Sequence, residues 1–190
     1  MGLRHVKGHE KSISRIASAV RKGRLPHAFL FTGTDGTGKK LTALNLAKLV
    51  NCESPVKAVD FSDSCDECKS CMLIEKGAHS DVAVIAPEGM WLKREQVGEL
   101  RRRAYSKPFT GKRNVFIVDS AEKLHWEAAA MFLKILEEPP GECLFVLVAE
   151  NMHNLLPTIR SRCQVVRFNP LDSALIEKEL VALWNCTQIL

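Results

Sequence analysis

The stretch Gly33-Thr34-Asp35-Gly36-Thr37-Gly38-Lys39-Lys40 decides the fold of this chain. An apolar, β-prone run (residues 27–32) precedes it, and a segment with helical spacing (residues 41–50) follows it. A glycine-rich loop between a strand and a helix is typical of phosphate-binding loops, in which backbone N–H groups and the helix N-terminus face a phosphate anion. The glycines allow the backbone to curl, and the first lysine would reach the β- and γ-phosphates. The nucleotide-binding residues expected here are Gly33, Gly36, Gly38 and Lys39.

The last residue of this loop departs from the usual pattern. Phosphate-binding loops carry Ser or Thr at this position, whose hydroxyl holds Mg²⁺, whereas this chain carries Lys40. An ammonium group cannot ligate a cation. We therefore predict a degenerate nucleotide site, which keeps the shape of the loop, binds ATP or ADP weakly and is poorly suited to hold Mg²⁺.

A second motif is the apolar run Val115-Phe116-Ile117-Val118, which is followed by Asp119. An acidic residue at the end of such a strand orders Mg²⁺ and its waters beside a phosphate-binding loop. In chains that hydrolyse ATP a Glu normally comes next and polarises the attacking water, but here the next residue is Ser120, whose hydroxyl is a poor base at neutral pH. Taken alone, Asp119 is explained as well by a helix N-cap. Together with the loop upstream, it favours the degenerate nucleotide site.

The composition limits the class of protein. The chain has 190 residues, of which 46% are hydrophobic, enough for one large domain or for one domain and the start of another. Its net charge of +5 permits contact with nucleic acid or an acidic partner but requires neither. No apolar run approaches the roughly 20 residues of a membrane helix, and no signal-peptide core is present near the N-terminus. We therefore expect a cytoplasmic protein that does not contact the membrane.

Apolar runs alternate with segments of helical spacing, which predicts an α/β fold with a parallel sheet covered by helices. The five predicted strands are Ala28–Thr32, Asp81–Ala86, Asn114–Asp119, Leu144–Ala149 and Gln164–Phe168. The predicted helices are Ser12–Lys22, Lys39–Val50, Lys93–Ser106, Ala121–Leu136, Asn154–Arg160 and Ser173–Cys186.

A polar insertion at residues 51–79 interrupts this alternation and carries Cys52, Cys65, Cys68 and Cys71. Four thiolates are the number of ligands that a closed tetrahedral zinc site requires, and such a site is structural because it leaves no position open for water. The alternative is a loop with free thiols. The polar neighbours argue against burial of these cysteines, and exposed thiols are prone to oxidation, so the pattern favours structural Zn²⁺.

The chain resembles the clamp-loader AAA+ subunits of the bacterial replicative polymerase, DNA polymerase III, and within them the delta-prime type. The matching segments run in order from residue 8 to about residue 170. The most specific of them are Leu136-Glu137-Glu138-Pro139-Pro140 and Ser161-Arg162-Cys163, whereas the phosphate-binding loop alone would be a weak signal. The resemblance implies an AAA+ P-loop core with a central five-stranded parallel sheet and a zinc-binding insertion (core 1–170, insertion 51–79), then the start of a helical lid domain (171–190).

The resemblance also implies a role in DNA replication. Family members form a hetero-oligomeric ring of gamma/tau, delta and delta-prime subunits that loads a sliding clamp onto primer-template DNA. In the family, the arginine of Ser-Arg-Cys reaches the ATP site of a neighbouring subunit, so Arg162 is expected to act in trans. Lys40 and Ser120 are departures from active members, and residues 148–151 stand where motor subunits carry a polar sensor of the γ-phosphate. These departures favour a delta-prime-like subunit of the polymerase holoenzyme that donates an arginine but has little or no ATPase activity.

Two alternatives remain from the sequence. The first is an active, gamma/tau-like ATPase, in which Asp119 and waters alone would hold Mg²⁺ and Glu122 would be recruited as the base. The second is a zinc-bearing nucleic-acid binding module, although a charged run on a helix is more often a solvated face, and the cysteine pattern differs from the two-His zinc finger. Its expected footprint is Lys93, Arg94, Arg101, Arg102 and Arg103.

Overall fold

The structure of the chain is a computed structural model that describes residues 2–58 and 61–187, with side chains described up to residue 181. Its described residues contain seven strands in two sheets. The strands are β1 (Ala28–Thr32), β2 (Val56–Lys57), β3 (Ser62–Asp63), β4 (Val82–Ile85), β5 (Asn114–Val118), β6 (Cys143–Ala149) and β7 (Gln164–Arg167). Five of them form a parallel sheet in the order β4-β5-β6-β1-β7, which confirms the predicted fold class.

The central strands of this sheet are buried along their whole length because helices cover both faces. On one face, the rings of Phe116 and Phe145 stack with centroids 5.6 Å apart, and Phe132 meets Phe145 edge-on. On the other face, Phe31 and Leu46 belong to a second cluster of buried residues. The continuous apolar runs of the sequence therefore predict these strands correctly.

Seven α-helices complete the described part of the chain. They are α1 (Glu10–Arg21), α2 (Lys39–Asn51), α3 (Lys69–Glu75), α4 (Arg94–Ala104), α5 (Trp126–Glu137), α6 (Pro157–Arg160) and α7 (Ser173–Thr187). The helix predicted for Asn154–Arg160 is shorter in the structure, because a separate 3-10 turn over Met152–Asn154 precedes α6.

The predicted helix Ala121–Leu136 is wrong at its start. A 3-10 turn occupies Ala121–Lys123, and the chain is then extended at Leu124 before α5 begins. The cause is a long-range contact with Leu92, whose N–H donates to Lys123 O at 2.8 Å and whose carbonyl oxygen accepts from His125 N–H at 3.1 Å. This contact fixes an extended backbone that helical spacing alone does not predict.

The insertion contains the β2–β3 hairpin and α3, none of which the sequence pattern predicts. It is attached to the core through the buried carboxylate of Asp63. This carboxylate accepts hydrogen bonds from the backbone N–H groups of Leu3 at 2.8 Å, Arg4 at 3.0 Å and Ser64 at 2.8 Å. The N-terminal segment therefore packs between the insertion and the core.

The topology places the phosphate-binding loop and Asp119 at the same edge of the sheet. The loop follows β1 and Asp119 follows β5, and both strands flank β6 with the same direction. In open parallel sheets the edge at the carboxyl ends of the strands is where ligands bind. None of the helices in the described residues is long and apolar enough to span a membrane.

Candidate functional site

The phosphate-binding loop has the backbone geometry that its glycines predict. Gly33 lies directly against the end of the sheet, and a Cβ on it would overlap the carbonyl oxygen of Phe168. Gly38 has a left-handed backbone with φ of +86° and is the N-cap of α2. Neither position accepts a larger residue without a shift of the backbone.

Lys39 is buried, and its ammonium is held by the loop itself. Lys39 Nζ donates to the carbonyl oxygens of Gly33 at 2.5 Å and Thr34 at 2.7 Å, and it lies 3.2 Å from Asp35 Oδ1. The loop is further braced by the hydroxyl of Thr37, which donates to Thr34 O at 2.8 Å. These contacts give the loop its shape through groups of the chain itself.

Lys40 and Asp119 form an ion pair across the mouth of the site. The Lys40 Nζ lies 2.8 Å from Asp119 Oδ2, and the Asp119 side chain is more buried than that of Lys40. Asp119 is the residue that would orient Mg²⁺, and Lys40 stands where a hydroxyl ligand would be. The ammonium therefore supplies a positive charge beside Asp119 in the place where the motif would have a metal ion.

A cavity of about 450 Å³ lies between the loop and the end of β5. Its wall contains five of the six residues predicted for the nucleotide site, and Gly33 is not among the described lining residues. The lining residues are Asp35, Gly36, Gly38, Lys39, Lys40, Leu41, Asp119, Ser120 and Val148.

Ser120, Glu122 and Asn151 lie at or near the positions where active ATPases carry their catalytic base and their sensor of the γ-phosphate. Ser120 lines the cavity and caps the following 3-10 turn with a left-handed backbone. Glu122 is not among the described lining residues, and one of its carboxylate oxygens is buried without a hydrogen-bond partner among the described residues. Asn151 accepts a hydrogen bond from His153 N–H at 2.9 Å, so its amide caps a local turn. Among these positions, only Ser120 faces the cavity.

His9 is a loop contact that the sequence did not identify as a site residue. Its Nε2 lies 3.1 Å from Thr37 O and donates to it, and its ring meets Phe168 edge-on with centroids 4.7 Å apart. The only signal in the sequence was the position of His9 in a segment that matches the clamp-loader family. Through His9, the start of α1 supports the phosphate-binding loop.

The four cysteines of the insertion converge in space. Their sulfur atoms all lie within 4.8 Å of one another, and the Sγ atoms of Cys52 and Cys65 are 3.5 Å apart. Zn–S bonds of about 2.3 Å in a tetrahedron put sulfur atoms about 3.8 Å apart, so this donor set fits Zn²⁺ with small adjustments. Cys52 and Cys71 are buried, contrary to the expectation from their polar neighbours, because α3 packs against α2 and encloses them.

Backbone N–H groups donate to two of the sulfur atoms. Cys65 N–H donates to Cys52 Sγ and Cys68 N–H donates to Cys65 Sγ, each at 3.3 Å. Burial would by itself raise the pKa of the Cys65 thiol, but the N–H groups of Cys68 and Glu67 and the neighbouring thiols of Cys52 and Cys68 outweigh it and lower the pKa to about 7. Hydrogen bonds of this kind favour thiolates, the form in which cysteine binds metal. Burial raises the pKa of the Cys52 and Cys71 thiols.

Arg162 is paired with a carboxylate of its own chain. Its Nη2 lies 2.8 Å from Glu137 Oε1, and its Nη1 donates to Thr158 O at 3.0 Å. Both side chains of the ion pair are partly exposed. The two most specific motifs of the sequence, the Leu-Glu-Glu-Pro-Pro and Ser-Arg-Cys runs, therefore meet in the structure.

The basic residues of α4 are partly used within the chain. Arg102 forms an ion pair with Glu99, and Arg103 donates to Ser80 O at 2.6 Å. The guanidinium of Arg101 lies 5.8 Å from the ring centre of Tyr105. These contacts are those of an ordinary helix surface, which weakens the case for a nucleic-acid footprint along α4 itself.

Comparison with known proteins places these features in a family. A family model described as DNA polymerase III, delta subunit, matches residues 8–172, most of the chain. The chain belongs to this family. The predicted resemblance to clamp-loader subunits of DNA polymerase III is thereby confirmed.

Curated relatives of two kinds support this assignment. The DNA polymerase III subunit delta' of Bacillus subtilis (strain 168) is 35% identical over 166 residues, which are 87% of this chain and 49% of the relative. The DNA polymerase III subunit tau of the same organism is 34% identical over 188 residues, 97% of this chain and 32% of the relative. The chain thus spans half or less of the length of these relatives.

Solved structures agree on the fold. A DNA polymerase III, gamma subunit-related protein from Thermotoga maritima superposes with a TM-score of 0.62 at 27% identity, over 88% of this chain and 47% of that one. The RuvB Holliday junction branch migration motor of the same organism superposes with a TM-score of 0.55 at 16% identity, over 89% of this chain and 47% of the RuvB chain. At that identity the second likeness shows the AAA+ P-loop fold alone.

Proposed function

We propose that this member of the DNA polymerase III delta subunit family is a non-hydrolysing, delta-prime-like subunit of a clamp loader. The observation that carries this proposal is the ion pair between Lys40 and Asp119 at the mouth of the nucleotide cavity. A divalent ion at Asp119 would have to displace an ammonium that is 2.8 Å away and already compensates the carboxylate. The ammonium and a divalent cation are both positive and would compete for the same carboxylate, so Lys40 should disfavour Mg²⁺ at Asp119.

The proposal also rests on what surrounds the place of the γ-phosphate. Ser120 takes the position of the catalytic base, and the Asn151 amide is used in a turn. Removal of a single well-placed catalytic group commonly lowers a rate by about 10² or more. With the metal ligand and the base both replaced, turnover of ATP by this chain should be close to background.

The test is ATP binding and turnover by the purified chain with and without Mg²⁺. We expect weak binding that Mg²⁺ does not strengthen, and no measurable turnover. The variant Lys40→Thr with Ser120→Glu restores both groups and should gain Mg²⁺-dependent binding, while Lys39→Ala in that background should lose it. Turnover of about 1 s⁻¹ by the unchanged chain, a rate typical of enzymes, would contradict the proposal.

In this proposal Arg162 completes the ATP site of a neighbouring subunit. An arginine is suited to this role because it is always charged and neutralises the oxygens of a transferred phosphoryl group. The partners would be gamma/tau and delta subunits in a hetero-oligomeric ring, with the sliding clamp and primer-template DNA bound by the assembled complex. In such a ring, residues 1–170 would form the AAA+ core of this subunit and residues 171–190 the start of its lid.

We further propose that Cys52, Cys65, Cys68 and Cys71 hold one structural Zn²⁺. The support is the chemistry of the donor set, the distances between the sulfur atoms and the N–H donors directed at two of them. A closed site of four thiolates stabilises a fold rather than catalysing a reaction. Here it would join the end of α2 to the start of α3.

A second candidate function is that of a gamma/tau-like ATPase. It is favoured by one observation, the retained geometry of the phosphate-binding loop with a cavity of about 450 Å³ beside it. The same measurement of turnover distinguishes the two candidates. An active subunit would hydrolyse ATP in a manner that depends on Lys39 and Mg²⁺.

A further inference from the structure

Strand β4 forms one edge of the parallel sheet and carries no charged residue or proline. Within the described residues it pairs with β5 alone. All four of its residues, Val82–Ile85, are aliphatic, and Val84 is 40% exposed. Natural proteins protect edge strands with charged side chains, proline, bulges or a covering segment, because a bare edge offers unpaired backbone groups to another strand. The opposite edge, β7, carries Arg167, so the two edges of this sheet differ.

The outward-facing backbone groups of β4 lie at Val84. The carbonyl oxygens of Asp81 and Ile85 accept hydrogen bonds from N–H groups of β5 and of the residue after it, each at 2.8 Å. Residues of a parallel pair are bonded to the neighbouring strand at every second position, so Ala83 also faces β5 and Val84 faces away from it. The N–H and C=O of Val84 have no partner among the described residues. A further strand could therefore pair with β4 through Val84.

Helix α4 holds both ends of β4 in place. Arg103 Nη2 donates to Ser80 O at 2.6 Å, just before the strand, and Gln96 Nε2 donates to Ala86 O at 2.9 Å, just after it. A strand that is already fixed in its extended conformation does not have to be ordered by a partner. Binding to it avoids that part of the entropy cost of association.

Asp81, the residue before β4, anchors the start of the strand to a neighbouring loop. Its buried carboxylate accepts hydrogen bonds from the N–H groups of Phe109 at 2.7 Å, Thr110 at 2.7 Å and Gly111 at 2.6 Å. Burial alone would raise the pKa of Asp81, but these donors outweigh it and hold the pKa below its usual value. The edge strand is therefore a rigid part of the fold.

An open groove lies beside β4 on each face of the sheet. The α4 groove, of about 460 Å³, lies between β4 and α4 and includes Leu100 in its wall, whereas the α3 groove, of about 410 Å³, includes Ile74 of α3. These two side chains belong to the hydrophobic clusters on opposite faces of the sheet. Val84 lines both grooves. Since side chains alternate between the faces of a strand, a strand added at this edge would direct every second side chain into each groove.

The α4 groove is acidic, although the chain as a whole has a net charge of +5. Glu88, Glu95 and Glu99 line it, and Arg103 is the one cation among its described lining residues. Glu99 is paired with Arg102. Arg103 is engaged by a backbone carbonyl, and neither Glu88 nor Glu95 forms an ion pair within the described part of the chain. The groove therefore presents uncompensated negative charge.

The α3 groove has a different chemical character. Leu44, Ile74 and Val82 line it, and none of its described lining residues is acidic. His79 also lines it, and burial lowers the pKa of this histidine, which keeps its ring neutral. The α3 groove is thus suited to aliphatic side chains, whereas the α4 groove is suited to cations.

We propose that β4 binds an extended peptide segment of a partner protein, which adds to the five-stranded sheet as a further strand. Backbone pairing through Val84 holds the segment, and its side chains alternate between the two grooves. Lysine or arginine at every second position meets Glu88 and Glu95, and the aliphatic residues between them enter the α3 groove. The site shares no residue with the nucleotide cavity, the cysteine cluster or Arg162, so it does not depend on the proposed function.

A second copy of this chain is the other occupant that a bare edge could attract. Two copies joined in antiparallel fashion through β4 would carry both α4 helices on the same face of the joined sheet, because the two-fold axis would stand perpendicular to that sheet. The acidic grooves of the two copies would then adjoin, and like charges oppose such a pairing. A basic segment instead meets the α4 groove with the opposite charge.

The test uses a fluorescein-labelled peptide of about seven residues, the length of a typical strand, in which lysine alternates with valine. Its binding to the 190-residue chain is followed by fluorescence anisotropy. We expect saturable binding that weakens as salt is raised, because exposed charges are screened. A peptide of the same composition with its lysines in one block should bind about 10-fold more weakly or worse, because its cationic and aliphatic side chains no longer alternate.

Methylation of alternate peptide nitrogens tests the backbone pairing without any change to the chain. The N–H groups of an extended peptide point alternately to its two edges. Methylation of the set that faces β4 should abolish binding, whereas methylation of the other set should leave it unchanged.

Two proline variants test the same pairing from the side of the chain. Val84→Pro removes an outward N–H and leaves the bonds to β5 in place, so it should weaken binding by about 10-fold or more without loss of the fold. Val165→Pro is the matched control at the opposite edge, where Phe168 N–H donates to Thr32 O and Val165, 38% exposed, therefore faces away from β1. It should have no effect on binding.

Two charge variants test the acidic groove. Glu95→Gln should weaken binding by about 2- to 5-fold, the usual range for an exposed ion pair. Glu138→Gln removes an exposed carboxylate that lines neither groove and should have no effect. Equal melting temperatures of the variants show that folding is intact, and the methylated peptides decide the question if Val84→Pro does not fold.

Any of three results overturns the proposal. The first is the absence of binding at about 500 µM chain in low salt, which would put Kd in the millimolar range or above. The second is equal binding of the two methylated peptides, which would mean that no strand is added. The third is a dimer in sedimentation that Val84→Pro dissociates, together with no binding of the peptide, which would assign the edge to a second copy of this chain.

Discussion

Replacement of Arg162 by alanine separates a structural role of this residue from a role in a neighbouring ATP site. In the free chain Arg162 pairs with Glu137 and donates to Thr158 O. Its side chain is 36% exposed and that of Glu137 is 43% exposed, so solvent screens the ion pair. Measured pairs of this kind contribute about 0.2 to 1 kcal/mol.

The expected loss of stability is therefore small. For a chain of this size, 1 kcal/mol changes the melting temperature by about 2 to 4 °C, so Arg162→Ala should lower it by no more than about 4 °C. A double-mutant cycle with Glu137→Ala should give a coupling energy below about 1 kcal/mol. Arg160→Ala, which removes a nearby arginine outside this ion pair, is the matched control.

The expected loss of function is much larger. An arginine supplied in trans contributes about 10³ or more at its own ATP site. In a ring assembled with gamma/tau and delta subunits, Arg162→Ala should silence one of several sites, so total DNA-stimulated ATPase and clamp loading should fall in part. Arg162→Lys should behave similarly, because an ammonium lacks the planar pair of donors.

The opposite pattern would refute this reasoning. If Arg162→Ala lowers the melting temperature while the assembled complex keeps its full ATPase, Arg162 is a structural partner of Glu137 and the assignment in trans is wrong. Failure of the variant to enter the complex is distinguished by gel filtration before the assay. Glu137→Ala should then show the same loss of stability and also leave the ATPase unchanged.

Three other predictions concern single sites. Elemental analysis should find about one zinc per chain, and substitution of Cys71 by Ser should abolish it; zinc-free protein with an ordered insertion would contradict the site. In equilibrium binding, Lys40→Thr should make ATP affinity depend on Mg²⁺ because it frees Asp119, whereas no dependence would mean that Lys40 does not occupy the metal position. Folding lowers the pKa of Asp81, so the ionised carboxylate stabilises the fold above its unfolded pKa of about 3.9, and this stabilisation is lost as pH falls through the lower folded pKa. Asp81→Asn should therefore flatten the acidic part of the curve of unfolding free energy against pH, and an unchanged curve would rule this out.

The parallel sheet could be predicted because its signal is local. Runs such as Ala28–Thr32 and Asn114–Val118 are apolar at every position, which is what burial on both faces requires. The start of α5 could not be predicted in the same way. Its position depends on two hydrogen bonds with the backbone of Leu92, about 30 residues earlier, and these hold Leu124 in an extended segment where a helix was predicted.

The candidate site was predicted by residue type but not by contact. The sequence identified Lys40 as a departure from the loop motif and Asp119 as a match to the acidic strand end. It did not predict the ion pair between them, which joins positions 79 residues apart. It likewise identified Arg162 without its partner Glu137. Pairings of this kind depend on the tertiary arrangement of strands and helices, which periodicity and motif spacing do not encode.

The two lysines of the phosphate-binding loop explain together how a nucleotide-type site could persist without its chemistry. In an active site, the positive charge beside the acidic strand end is a metal ion that arrives with the nucleotide. In this chain that charge is covalently attached as Lys40, while Lys39 is satisfied by the carbonyl oxygens of Gly33 and Thr34. Both lysines of the loop therefore have partners within the chain itself. If the chain acts as proposed and presents Arg162 to a neighbour, this arrangement suits it, because its geometry need not change with ATP.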